Sequence, residues 1–261
     1  MRPLSALGAE EARHLRGLLF DLDDTVLSHG LLTRGSFDAL WQLREAGLKL
    51  VAVTGRPSGW GAVLARQWPM EGCVAENGAV FVVREGAGVS VIEAGGSPER
   101  ARRGAALEDL VEQARVHVPD ARLTDDVAAR RSDVTWDIGE RERLAEASIA
   151  ALVALAEGAG ARTLRSSVHL HATFDGDDKA SGAVRFCSEH LGEDPGGARS
   201  RFAFVGDSGN DASCFAAFRT TFGVANVVSS LPRLTIAPRY VASLAMGDGF
   251  AEVVREVLRK R

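Results

Sequence analysis

Cysteine is scarce. The 261 residues include three, Cys73, Cys187 and Cys214, far apart and with no Cys-x-x-Cys pair. An odd, scattered set argues for a reducing compartment in which buried thiols act as small apolar side chains. Long apolar runs are missing too, and none approaches the length of a membrane span. The first residues include Glu10, Glu11 and Arg13 and show no signal-peptide core. Charge of one sign is also lacking, the formal net charge being -4. Such a balance gives no footprint for nucleic acid or for an anionic membrane surface. A cytoplasmic location is expected, and nothing in the sequence sets an oligomeric state. What is present suits a packed core: 46% hydrophobic and 25% charged residues, at a length that fits one large domain or two small ones.

Strand-like apolar runs alternate with helical segments, the pattern of a parallel sheet covered on both faces. Strands are expected at 18–20, 48–53, 73–75, 79–83 and 201–205, and helices at 36–46 and 250–258. Ser36 is placed to cap the first of these helices and Gly47 to end it. Residues 84–171 differ in character. They open with Gly86, Gly88 and a Gly95-Gly96-Ser97-Pro98 turn, then predict helices at 99–116 and 140–157 and strands at 134–138 and 162–173, enough chain for a small core of their own.

The run Leu18-Leu19-Phe20 ends in Asp21-Leu22-Asp23-Asp24-Thr25. Burying Asp21 and Asp23 side by side raises their pKa values and destabilises the fold unless a cation is bound. Paired carboxylates at a strand end, followed by a hydroxyl, suggest metal-assisted phosphoryl chemistry. Standing alone, the run reads equally well as an Asp-rich turn that caps a helix. It does not stand alone. Thr54-Gly55-Arg56 follows the strand at 48–53, and Gly206-Asp207-Ser208-Gly209-Asn210-Asp211 follows the strand at 201–205. Lys179 lies between them in the chain. In an open parallel sheet, such strand ends meet at one crevice.

In order and in character these four segments resemble the motifs of the haloacid dehalogenase superfamily. Residues 84–171 sit between the second and third motifs, where one subgroup inserts an α/β cap. That subgroup is similar to the sugar-phosphate phosphatases, including those acting on sucrose phosphate and mannosyl-3-phosphoglycerate. The fold implied is α/β: a doubly wound, mostly parallel, Rossmann-like core sheet in two segments, 1–83 and 172–261, with an inserted α/β cap domain, 84–171. The resemblance implies a Mg²⁺-dependent phosphatase that hydrolyses a small phosphorylated metabolite through an aspartyl-phosphate. Asp21 would be the nucleophile and Asp23 the acid and base. Thr25, Thr54, Gly55, Lys179 and Asn210 would surround phosphate. Lys179 would offset the carboxylates and the transferring phosphoryl group. Asp21, the Asp23 carbonyl and Asp207 would hold the metal, with Asp211 and Ser208 behind them. An acid/base Asp at position 23 separates phosphatases and mutases from dehalogenases and from ion-pumping ATPases. The alternatives are a phosphomannomutase-like isomerase and a non-catalytic sugar-phosphate-binding regulator. Asp24 departs from the pattern, since many relatives carry Gly there.

Other residues read less sharply. Arg185 is a rival cation to Lys179. Arg56 either braces its loop or meets substrate. His169 and His171 share one face of a predicted strand, which suits metal or substrate binding but more often marks the polar side of a half-buried strand. Arg130, Arg131 and Asp133 fit a clamp for a second anionic group or, more commonly, a solvated charge cluster. Arg131 and His171 join Arg56 as candidate substrate contacts.

Overall fold

Residues 17–20 carry no polar side chain, and the strand they form is buried along its whole length in the main sheet. The computed structural model describes residues 1–261 apart from Ala94, Ser167 and the side chain of Arg233. The chain enters through β1 (Arg2–Pro3) and α1 (Ala9–His14) before that strand, β2 (Gly17–Phe20). A turn at Leu22–Val26 and a small hairpin, β3 (Leu27–Ser28) and β4 (Leu31–Leu32), lead into α2 (Arg34–Glu45). Thr33, not Ser36, caps α2: its hydroxyl accepts from the Ser36 amide at 3.2 Å. Ser36 is buried one turn inside the helix. Next come β5 (Lys49–Val53), α3 (Ser58–Gln67), β6 (Gly72–Ala75), β7 (Val80–Glu85) and β8 (Gly88–Glu93). Residues 84–93, which the sequence assigns to the inserted region, thus finish β7 and form β8 in the core sheet. Pairing supplies the reason: β8 runs antiparallel to β7 over six residue pairs, and Val89 packs on the main apolar cluster.

The inserted region then contributes α4 (Ser97–His117), β9 (Arg122–Leu123), β10 (Asp133–Asp137), α5 (Glu146–Gly158), β11 (Arg162–Arg165) and β12 (His169–Thr173). These four strands make an antiparallel sheet in the order β11-β12-β10-β9. Alternation sorts its faces. Val134, Trp136, Leu170 and Ala172 pack against Leu110, Ile149 and Leu152 of α4 and α5. Asp133, Thr135, His169 and His171 therefore point the other way. The single strand expected at 162–173 is in fact two antiparallel ones, with Ser166 accepting the His169 amide at 3.0 Å between them. Ser167, within that expected strand, lies outside the described residues. The helix expected from Glu140 starts at Glu146. Residues 139–141 are held in a loop because the Asp137 carboxylate accepts all three of their amides, at 2.7–3.1 Å.

The chain returns through α6 (Lys179–His190), α7 (Pro195–Arg201), β13 (Phe202–Gly206), α8 (Ala212–Ala217), β14 (Thr220–Gly223), α9 (Val227–Ser230), β15 (Tyr240–Val241) and α10 (Met246–Lys260). Among the described residues the core sheet has nine strands in the order β1-β15-β14-β13-β2-β5-β6-β7-β8, all parallel except the β6–β7 and β7–β8 pairs. Helices α2, α3 and α10 bury one face and α6, α7 and α8 the other, so the core is doubly wound. From β2 the chain first builds outward through β5, then returns at β13 on the opposite side. Strand β2 therefore stands at the point where strand order reverses, the place where ligands bind in such sheets. Cys73, Cys187 and Cys214 are buried free thiols. Burial pushes Cys73 and Cys187 up to about 12, so both behave as apolar side chains. No helix among the described residues is long and apolar enough to cross a membrane.

Candidate active site

Three carboxylates meet beyond β2 and β13. The Asp21 amide continues the ladder by donating to the Val205 carbonyl at 2.9 Å, which fixes where its side chain emerges. Asp207 and Asp211 follow β13 in one tight turn: the Asp211 carboxylate accepts the Asp207 and Ser208 amides at 2.8 and 3.0 Å. Gly206 is required here because a Cβ would collide with that carboxylate. Carboxylate oxygens of Asp21, Asp207 and Asp211 all lie within 4.8 Å of one another, and all three residues are buried. Lys179, at the first turn of α6, reaches Asp21 at 2.8 Å and Asp211 at 2.7 Å. Burial opposes its charge, but these two carboxylates outweigh burial and hold the Lys179 pKa above the ordinary lysine value. Arg185, the rival cation, instead pairs with Asp177 at 2.7 Å and lies over the Phe81 ring.

Lys179 does not neutralise the cluster. Burial lifts Asp21 to about 7; Lys179 pulls it down, while Asp211 and Asp23 add to the rise. Burial likewise raises Asp207, helped by Asp211 and Asp21. Asp207 accepts from the Thr25 hydroxyl at 3.0 Å and from the Asn226 amide at 2.9 Å. Thr25 is thereby committed to Asp207. Position 24 has a left-handed backbone, φ +53°, a conformation that Gly adopts freely and that Asp tolerates better than most residues.

Asp23 faces a different partner. Arg56 holds it with a two-pronged fork, Nε to Oδ2 and Nη2 to Oδ1, each at 2.9 Å. The guanidinium lies 4.6 Å above the Trp60 ring. Its other edge meets the cap, Glu140 at 2.5 Å and Asp126 at 3.5 Å. Glu140 also bonds His169 Nε2 at 2.8 Å. His169 and Arg56 together draw Glu140 down to about 2. A second seam joins the loops. The buried Glu76 accepts the Ser58 amide of the core and the Arg131 and Ser132 amides of the cap, at 2.7–3.0 Å. The two halves are therefore docked, with the carboxylate cluster beneath the polar face of the cap sheet.

No protein-family profile and no curated protein sequence matches the chain. Solved structures do. A Thermoplasma acidophilum protein aligns with a TM-score of 0.72 at 15% identity, over 94% of this chain and 98% of that one. A Bacteroides thetaiotaomicron phosphatase of the haloalkanoate (HAD) enzyme superfamily aligns with a TM-score of 0.63 at 21% identity, over 95% and 96%. The sucrose-phosphatase of Synechocystis, solved with sucrose and phosphate, gives a TM-score of 0.65 at 15% identity, over 94% and 98%. The fold is that of the haloacid dehalogenase superfamily.

Within this haloacid dehalogenase fold, the structure brings Asp21, Asp23, Thr25, Thr54, Gly55, Lys179, Asp207, Ser208, Asn210 and Asp211 to one end of the sheet. Thr54 is fully buried and its hydroxyl accepts the Arg56 amide at 3.0 Å. Ser208 donates to Asn210 at 2.8 Å, and Asn210 donates to Asn77 at 3.1 Å. Arg131 stays outside: its guanidinium is half-exposed and pairs with Glu93 at 2.7 Å. The expected solvated cluster at 130–133 is half wrong. Arg130 and Asp133 form a buried pair at 2.9 Å, because Arg130 also caps the Gly55 carbonyl of the core at 2.9 Å. His169 and His171, expected on a half-buried strand, are fully enclosed under the docked core. Sequence reasoning missed Asn226, Glu140, Glu76 and Asn77. A Glu-Asn-Gly turn directly after β6 was the available signal for the last two.

Proposed function

We propose that the chain is a divalent-metal-dependent phosphatase acting on a small phosphomonoester, a sugar or polyol phosphate, through an aspartyl-phosphate. The carrying observation is the buried Asp21–Asp207–Asp211 cluster, whose like charges exceed what Lys179 offsets. Hard oxygen donors in that number suit Mg²⁺. Asp211 has both oxygens engaged, by Lys179 and by two amides. Asp21 and Asp207, with the Asp23 main-chain carbonyl, are then the residues that would hold the ion. A bound divalent cation supplies charge neutralisation for the phosphoryl oxygens.

The chain's own groups do the rest. An Asp21 oxygen attacks phosphorus, and the bond from phosphorus to the leaving oxygen breaks. Asp23 gives that oxygen a proton, then takes one from the water that cleaves the aspartyl-phosphate. Lys179 keeps Asp21 oriented and counters the phosphoryl charge. Because both Asp23 oxygens accept from Arg56, proton donation requires one prong of that fork to open. The docked cap leaves Asp23 only partly exposed and so restricts bulk water at the reacting atoms. Kinship of fold with the sucrose-phosphatase and with a sugar phosphatase of HAD subclass IIB supports the substrate class.

A phosphate-release assay over hexose, pentose and polyol phosphates tests the reading. Release should require Mg²⁺ and should fall by at least about a thousandfold in Asp21→Asn. Release that persists in the variant contradicts covalent catalysis. Interconversion of hexose phosphates without inorganic phosphate would point to a mutase.

A further inference from the structure

Arg56 is enclosed, with 4% of its side chain exposed, and it stands between Asp23 and the cap. One edge forks onto Asp23. The other meets Glu140, which projects from the cap loop after β10. One nitrogen serves both carboxylates: Arg56 Nη2 donates to Asp23 Oδ1 at 2.9 Å and to Glu140 Oε1 at 2.5 Å. It has a hydrogen for each. Nε has a single hydrogen, spent on Asp23 Oδ2 at 2.9 Å. The two prongs of the fork are therefore unequal. Opening the Nε prong strands a buried cationic donor, whereas opening the Nη2 prong leaves that nitrogen paired with a carboxylate. The second costs less.

Glu140 is itself held in place. Its other oxygen, Oε2, lies 2.8 Å from Nε2 of His169, a residue only 2% exposed on β12. The Asp137 carboxylate accepts the Glu140 amide at 2.7 Å. His169 and Arg56 draw Glu140 down to about 2, so it is ionised at neutral pH. Asp126, the second cap carboxylate near Arg56, is 3.5 Å from it and is engaged by Thr124 at 2.7 Å and Arg130 at 3.3 Å. The Trp60 ring, 4.6 Å below, supports the guanidinium plane. Asp23 and Glu140 keep 20% and 28% of their side chains exposed, so the relay opens to solvent on the side where Asp23 works.

We propose that Glu140 is a positioning residue for proton donation: by keeping Arg56 Nη2 paired, it frees Asp23 Oδ1 to face the leaving oxygen while Oδ2 stays on Arg56 Nε. The inference rests on the phosphatase reading above and deepens it. Glu140 and His169 belong to the cap, Arg56 and Asp23 to the core. Asp23 is thus set to donate only while the cap is docked, and a lifted cap leaves both Asp23 oxygens on the fork. Glu140 acts through Arg56 and not on the reacting atoms.

A basic leaving oxygen needs the acid, and a weakly basic one departs without it. The test compares kcat/KM, which covers the steps through cleavage of the bond to phosphorus, for benzyl phosphate and p-nitrophenyl phosphate with Mg²⁺ present. The two are similar in size, and the benzyl oxygen is far the more basic. Asp23→Asn sets the scale and should lower the benzyl to p-nitrophenyl ratio by about a hundredfold. Glu140→Ala should lower it by at least about tenfold. Glu140→Gln keeps the size and removes the charge. It should lower the ratio by about threefold or more, and it decides alone should the alanine variant fail to fold. A residue that merely braces the cap would lower both substrates alike. An unchanged ratio in the Glu140 variants, with the ratio moved in Asp23→Asn, would overturn the proposal and leave the phosphatase reading intact. An unchanged ratio in Asp23→Asn, or no Mg²⁺-dependent release from either substrate, overturns both.

Discussion

Asp21 sits where several opposing forces meet, and its behaviour without metal follows from them. Its pKa, raised by burial from 3.8 to about 7 despite Lys179, means the folded state holds a proton that the unfolded state has released. Stability from this group is therefore full below about pH 4 and is lost as pH rises through 7. Asp21→Asn removes the titration. In chelator, the variant should melt higher than the wild type at pH 8 and no higher at pH 5; thermal unfolding at the two pH values checks this. A variant that melts lower at pH 8 would show that Lys179 fully compensates the cluster. At this scale the sequence was legible wherever a residue's partner lies in its own motif or at a strand end. Asp21, Asp207, Asp211 and Lys179 are of that kind. Asn226 is not. It ties Asp207 to the Asp24 carbonyl and takes the Met246 amide on its other side, at 2.9–3.0 Å, and only the fold brings those three together.

Among elements, the cap loop at 139–145 has the largest consequence for the site. Asp137 collects its amides, which stops α5 from starting early and leaves Glu140 free to reach Arg56 and His169. Helical propensity across 140–145 gave no warning, because one side chain in the preceding strand overrides it. Glu140→Ala should destabilise the protein by about 1–3 kcal/mol, since it takes the Nε2 partner from the buried His169 and one of the carboxylates from Arg56. Denaturant unfolding measures that loss, and limited proteolysis should cut residues 139–145 faster. Unchanged stability with unchanged cleavage would mean the loop is held by Asp137 alone. The β11–β12 pair was hidden for a related reason. Apolar residues there recur at even positions, Leu164, Val168, Leu170 and Ala172, and Ser166, which accepts the His169 amide between the strands, does not break that pattern.

For the molecule as a whole, the order of strands and helices followed from apolar patterning, because buried parallel strands are nearly uninterrupted apolar runs. The join between halves did not. Residues 84–93 read as the start of the insertion because Gly86 and Gly88 interrupt them, yet Gly86 is simply the left-handed turn, φ +59°, that folds β8 back onto β7. Docking of the two halves through Glu76, Glu140 and Arg130 likewise depends on loops with no periodic signal. Carboxylates at the ends of the neighbouring strands β2 and β13 should share one divalent cation. Thermal unfolding with and without Mg²⁺, for the wild type and for Asp207→Asn, tests it most directly. Millimolar Mg²⁺ should raise the wild-type unfolding temperature by several degrees, as about 1–3 kcal/mol of linked binding does for a protein of this size, and should leave Asp207→Asn unmoved. An equal rise in both proteins, or none in the wild type, would contradict it.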